Sequence, residues 1–188
     1  MNRRIVGAAL ALVAIAAIRQ SAVQLSAQAP ETYTAKATVG ALTENASSLP
    51  ITFVINKFTT DAEHTKLRDT LKQGSGALKA ALKALPSIGT ISGNSRMAAI
   101  KYAYKRPNSQ SITVLMDEPV AYLDPGTAKD RPKEGFDLAF ATLDFSTGGF
   151  GVGELDPAVK LAVNPSGMIV TETYGAARVR LTSVEKKK

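Results

Sequence analysis

IKYAYKRPNSQSITVLMD, residues 100–117, reads as two strands joined by a turn. Ile100, Tyr102 and Tyr104 alternate with Lys101, Ala103 and Lys105. Ile112, Val114 and Met116 alternate in the same way with Ser111, Thr113 and Asp117. Successive side chains of a strand point to opposite faces, so a period of two marks a strand with one buried side. Residues 106–110 (RPNSQ) carry the Pro and Asn of a hairpin loop. A hairpin pairs its strands antiparallel, and the same alternation recurs on both sides of it.

Upstream, Tyr33, Ala35, Ala37 and Val39 alternate with Thr32, Thr34, Lys36 and Thr38. Residues 43–48 form a polar turn, and Ile51, Phe53 and Ile55 resume a strand with Val54 on its other face. The period then changes. Thr60-x-x-Glu63 fits a capping box, in which hydroxyl and carboxylate each satisfy a free backbone N–H. It predicts a helix from Asp61 to about Gln73, ended by Gly74. After Ser75-Gly76, Leu78, Leu82 and Leu85 share one stripe and Lys79 and Lys83 a more polar one. Pro86 stops this second helix. The pair forms a helical hairpin with an apolar seam for a sheet.

Downstream, residues 119–123 suit a short edge strand, because Pro119 cannot donate to a ladder. Residues 124–135 form a polar loop with Pro125, Gly126 and Pro132. Phe136, Leu138 and Phe140 begin a strand whose apolar parity shifts to Leu143 and Phe145, which implies a bulge near Ala141. Phe150 and Val152 lie on the next strand, and Val159, Leu161 and Val163 on another. The NPSG turn at 164–167 precedes two last strands, at 168–174 and 177–184. Many short strands with one early helical pair predict an α+β fold. The expected form is a mostly antiparallel curved sheet or up-and-down β-barrel with an early helical hairpin. A β-sandwich with two helices is the alternative.

The chain has 188 residues. Its first 29 have the layout of a secretory signal peptide: basic Arg3-Arg4, apolar residues 5–18, then small residues ending in Ala27-Gln28-Ala29. The apolar run meets Arg19 well short of the roughly 20 residues that span a bilayer, which favours a cleaved leader over an anchor. Cleavage after Ala29 fits the small-x-small rule but leaves Pro30 first; cleavage after Ala27 avoids that with Leu25 in a poorer place. Export to the periplasm or the extracellular space follows. Residues 30–185 then form a single β-rich domain and residues 186–188 a basic tail, expected to be a solvated end.

Zero cysteine in an exported chain excludes a disulfide framework and leaves hydrophobic packing to hold the fold. It also excludes thiol catalysis and a lipid tether on cysteine. The formal net charge of +7 is largely terminal. Arg3, Arg4 and Arg19 leave with the leader, and Lys186, Lys187 and Lys188 end the chain. The body is close to neutral, which gives no basis for nucleic-acid binding.

Several segments taken in order carry a resemblance: residues 67–74 (LRDTLKQG) with the Ala-Leu helix after them, 86–89 (PSIG), 102–107 (YAYKRP), 117–120 (DEPV), 136–139 (FDLA), 151–155 (GVGEL) and 179–182 (VRLT). The chain resembles a family of uncharacterised secreted bacterial single-domain proteins over most of its mature length. The resemblance implies export and a single domain. It assigns no catalytic residue, cofactor or activity.

The vocabulary for catalysis is sparse. His64 is the only histidine; with Asp61 one turn away it makes a minimal metal pair, whereas an exposed helical histidine near capping acids is the plainer account. No G-x-S-x-G elbow presents a serine, and the Gly148–Gly153 run sits among strands, where glycine serves a turn, a bulge or sharp curvature. Asp117, Glu118, Asp124, Asp130, Glu134 and Asp137 crowd one region, interleaved with Lys129, Arg131 and Lys133. This mixed-charge loop, with Asp124, Asp130 and Arg131, is a candidate binding surface. Arg178 and Arg180 share the outer face of the last strand and would meet an anion or acids such as Glu172. Tyr102 and Tyr104 are candidate pocket-lining residues, or ordinary strand core. The reading is a non-enzymatic exported module, without cofactor or metal, that binds a small apolar molecule or an envelope protein. A carboxylate-dependent hydrolase acting on envelope polymers, or a structural envelope component, is the alternative.

Overall fold

The computed structural model describes residues 29–38, 48–120, 134–145, 150–166, 169–173 and 179–188. Its elements are β1 (Glu31–Thr38), β2 (Ser48–Ile55), α1 (Asp61–Leu71), α2 (Ser75–Ala84), β3 (Gly89–Gly93), β4 (Arg96–Ile100), β5 (Tyr102–Lys105), β6 (Ser111–Met116), β7 (Leu138–Asp144), β8 (Gly151–Val163), β9 (Ile169–Thr173) and β10 (Val179–Lys186). One antiparallel sheet runs in the order β4-β3-β2-β1-β10-β8-β7-β6-β5, with β9 paired to β8. Its two ends, β4 and β5, are neighbours in the chain, separated by Lys101 alone. The sheet therefore curls into a nearly closed barrel. No described helix is long and apolar enough to cross a membrane.

Curvature comes from bulges. In β10, three residues from Thr182 to Glu185 span two on β1, and Leu181 to Val184 likewise span two on β8. Ser183 lies in this step with φ of 50°, so one bulge bends both ladders. A second extra residue lies on β8 between Asp156 and Val159, opposite Leu138–Phe140 of β7. Gly153 faces Leu143 and Leu181 in register, and a Cβ there would run into the Thr142 carbonyl.

The barrel interior is filled with side chains. Ile51, Phe53 and Ile55 of β2 meet Ile91, Ile112 and Leu143, all essentially inaccessible to solvent. Small residues such as Ala35, Ala37 and Ala98 let the walls approach. A second apolar layer lies outside the wall, where Leu67, Leu71, Leu78 and Leu82 of the helices cover Tyr102, Leu115, Leu138 and Leu161.

These two layers explain where the strand pattern misleads. Ile100 belongs to the interior and Tyr102 to the helix-covered layer, so the single alternation expected from Ile100 to Tyr104 is broken at Lys101. β7 has no bulge at Ala141: its pairing with β6 is continuous from Asp144 to Ala139. Leu138 and Phe140 face the helices while Ala139, Ala141 and Leu143 face the interior. A strand buried on both faces simply lacks a polar side. The two strands expected at 150–152 and 159–163 are one bent strand, β8, and Pro119 and Val120 lie outside any strand. Nor is the lysine end free. Lys186 closes β10 with its Nζ 2.9 Å from Glu31, and the Lys187 N–H donates to the Thr32 carbonyl.

Candidate ligand-binding cleft

The helical hairpin is placed by local chemistry at its start. The Glu63 N–H donates to Thr60 Oγ1 at 3.3 Å, and the Thr60 N–H donates to Glu63 Oε2 at 2.8 Å, completing the expected capping box. Just before it, the Thr59 N–H donates to the Ala103 carbonyl, and Thr59 Oγ1 accepts the Ala103 N–H, so α1 leaves from the edge of β5. Gly74 bridges the helices with φ of 114°, where a side chain would be strained. At the start of α2, buried Ser75 accepts the Leu161 N–H at 3.2 Å.

His64 turns inward. Its Nδ1 and the Tyr102 hydroxyl share a hydrogen bond of 2.7 Å, whose donor is set by the imidazole tautomer. Its ring stacks on Tyr104 with centroids 4.1 Å apart and planes 6° from parallel. The Tyr104 hydroxyl donates to Asp61 Oδ1 at 2.9 Å. Burial lowers the His64 pKa, helped by the Arg68 and Arg106 guanidinium groups and opposed by Asp61. Burial raises that of Tyr102, helped by Tyr104, and so keeps the phenol protonated. His64 is thus half-buried rather than exposed, and Asp61, the acid that a metal reading would need, accepts from a tyrosine. The cavity beside this cluster, lined by His64, Leu67, Tyr102 and Phe140, measures about 30 Å³. That is tenfold below the ~300 Å³ at which small-molecule sites begin.

A larger concavity opens on the other side of α1. A cleft of about 500 Å³ lies between the hairpin and the β-wall, lined by Phe58, Leu67, Ala81, Ala84, Leu85, Pro86 and Ile88. Lys57, Glu63, Lys66 and Lys101 contribute its charge, and Thr59 and Thr70 its hydroxyls. The volume falls in the range of small-molecule sites, and an apolar floor with few polar groups is their usual composition. The sequence puts these residues here for separate reasons. Phe58 precedes the capping box. Leu85 follows the last turn of α2 with extended backbone and leaves the buried Leu78–Leu82 stripe. Lys101 sits at the break between β4 and β5; its Nζ reaches the Leu85 carbonyl at 2.9 Å and Asp117 at 3.8 Å. A depression along Asp61, Thr65 and Asp69, nominally about 710 Å³, is the open outer face of one helix and encloses nothing.

No protein-family model, curated protein or solved structure matches this chain.

Of the residues singled out in the sequence, Tyr102 and Tyr104 lie beneath α1, and neither lines the cleft. Arg180 stands on the outer wall opposite Glu154 of β8 and Thr38 of β1. Glu172, the acid expected to meet it, sits across from Lys160 instead, 3.8 Å away. Asp124, Asp130, Arg131 and Arg178 lie outside the described residues. In the acidic region, Asp117 faces Lys101 and Asp137 faces Lys79 at 3.2 Å, so each carboxylate is turned to a lysine. Sequence inspection missed Phe58, Lys66, Ala81, Leu85 and Lys101. The nearest signals were an aromatic residue two positions before a helix cap and a leucine directly before a helix-stopping proline.

Proposed function

We propose that this protein is an exported binding module that takes a small apolar ligand into the cleft between its helical hairpin and the barrel wall. One observation carries the reading: a ligand-sized concavity of about 500 Å³ with an apolar floor beside a barrel already filled by its own side chains. The signal-like leader supports export, and the inward or paired placement of His64, Asp61, Asp117 and Asp137 supports binding over hydrolysis.

The test is titration with a neutral apolar dye, N-phenyl-1-naphthylamine, which brightens on leaving water. Saturable binding is expected. Ala81→Phe, which fills the cleft from α2, should weaken it at least about tenfold, since a site without room loses the burial that drives binding. Met97→Lys, at an apolar residue 66% exposed on β4, should leave it unchanged. A dye that does not saturate, or that ignores Ala81→Phe, overturns the reading.

A further inference from the structure

We infer that the ligand is a single-chain fatty carboxylate whose anionic head is met by Lys66. The inference rests on the cleft being a ligand site and concerns what that site selects. Most polar groups of the lining are already committed within the protein. Glu63 Oε2 receives the Thr60 N–H and hydroxyl, and Glu63 Oε1 faces Lys57 Nζ at 3.3 Å. The Thr59 hydroxyl accepts from Ala103, and the Thr70 hydroxyl donates to the Lys66 carbonyl. Lys101 is divided between the Leu85 carbonyl and Asp117. Among the described residues, Lys66 is the lining cation that makes no ion pair.

A ligand filling this space buries its body against Phe58, Leu67, Ala81, Leu85 and Ile88. Its polar end must then lie near the Lys66 ammonium or remain in water. A neutral head gains no ion pair from that ammonium, and a positive head is repelled by it. One uncommitted lysine matches one negative charge. The carboxylate accepts hydrogen bonds from the ammonium while the alkyl chain displaces water from the apolar floor, so the two ends of the ligand match the two parts of the site. Lys66 is exposed, so the head group adds selectivity while the floor supplies most of the affinity.

The experiment displaces N-phenyl-1-naphthylamine from the full chain with decanoate or decan-1-ol at pH 8 and low salt. Decan-1-ol is the more hydrophobic of the two, so non-specific uptake favours it. Decanoate is expected to bind about three- to fivefold more tightly, the scale of a partly exposed ion pair. Lys66→Gln should abolish that preference by weakening decanoate more than decan-1-ol, Lys66→Arg should keep it, and high salt should shrink it. Equal binding of the two in the wild type, or an equal loss of both in Lys66→Gln, overturns the carboxylate assignment while the cleft stands. If dye and both amphiphiles fail to bind, the cleft reading falls and the assignment with it.

Discussion

His64 shows how one side chain can tie a helix to a barrel. It is hydrogen-bonded to Tyr102 and stacks on Tyr104; its burial first, and then the Arg68 and Arg106 guanidinium groups, disfavour its charged form. Its folded pKa is therefore below the ordinary value of 6.5. The neutral ring is favoured in the folded state, so the stabilisation is complete above pH 6.5 and is lost as pH falls through the folded value. Urea unfolding of wild type and His64→Gln at pH 7.5 and pH 5 measures this. The wild type should lose part of its advantage over the variant at the lower pH; an advantage that is the same at both would refute the account. Thr60 acts at the same scale. Thr60→Ala removes the hydroxyl that accepts the Glu63 N–H and should cost about 1 kcal/mol in urea unfolding, the usual worth of a cap. A change of a few tenths would mean that the Glu63 carboxylate holds the helix start alone.

At the level of elements, the strands are set by what covers each face. Alternation was readable in β1, β2 and β6, where one face is the interior. It failed in β7, where helices cover the other side, and at Lys101, where the strand changes layers. The helical hairpin was readable from its capping box, leucine spacing and Pro86, because helix ends are set by neighbours in sequence. The cleft was not readable, since Phe58, Lys66, Ala81, Leu85 and Lys101 come from four separate segments with no motif among them. Gly153 offers a test of the curved wall. The Thr142 carbonyl lies where a Cβ would go, and backbone cannot swing aside as a flexible side chain can. Gly153→Ala should destabilise by about 1–3 kcal/mol, the range for overpacking, although alanine suits a strand no worse than glycine. A thermal midpoint equal to wild type would mean that β7 and β8 can separate freely at this point.

For the whole molecule, the proposed cleavage of a leader is compatible with the fold. β1 begins at Glu31, so cleavage after Ala27 or Ala29 would leave every described strand intact. N-terminal sequencing of protein from the envelope fraction of its own host should begin at Gln28 or Pro30; a chain still starting at Met1 would end the export reading.

The pairing of β1 with β10 bears on how the chain comes to be made. Its first described strand is bonded along its length to its last, across most of the sequence. Contacts so distant in sequence close slowly, because the intervening loop entropy must be spent before they form. While the chain is still being synthesised, β2, the helices and the middle hairpins can form, but the wall lacks β10. Until that strand arrives, one edge of β1 has no partner. The barrel is therefore an assembly completed only after β10 has been made, and a chain threaded through a membrane would still be open until that strand follows.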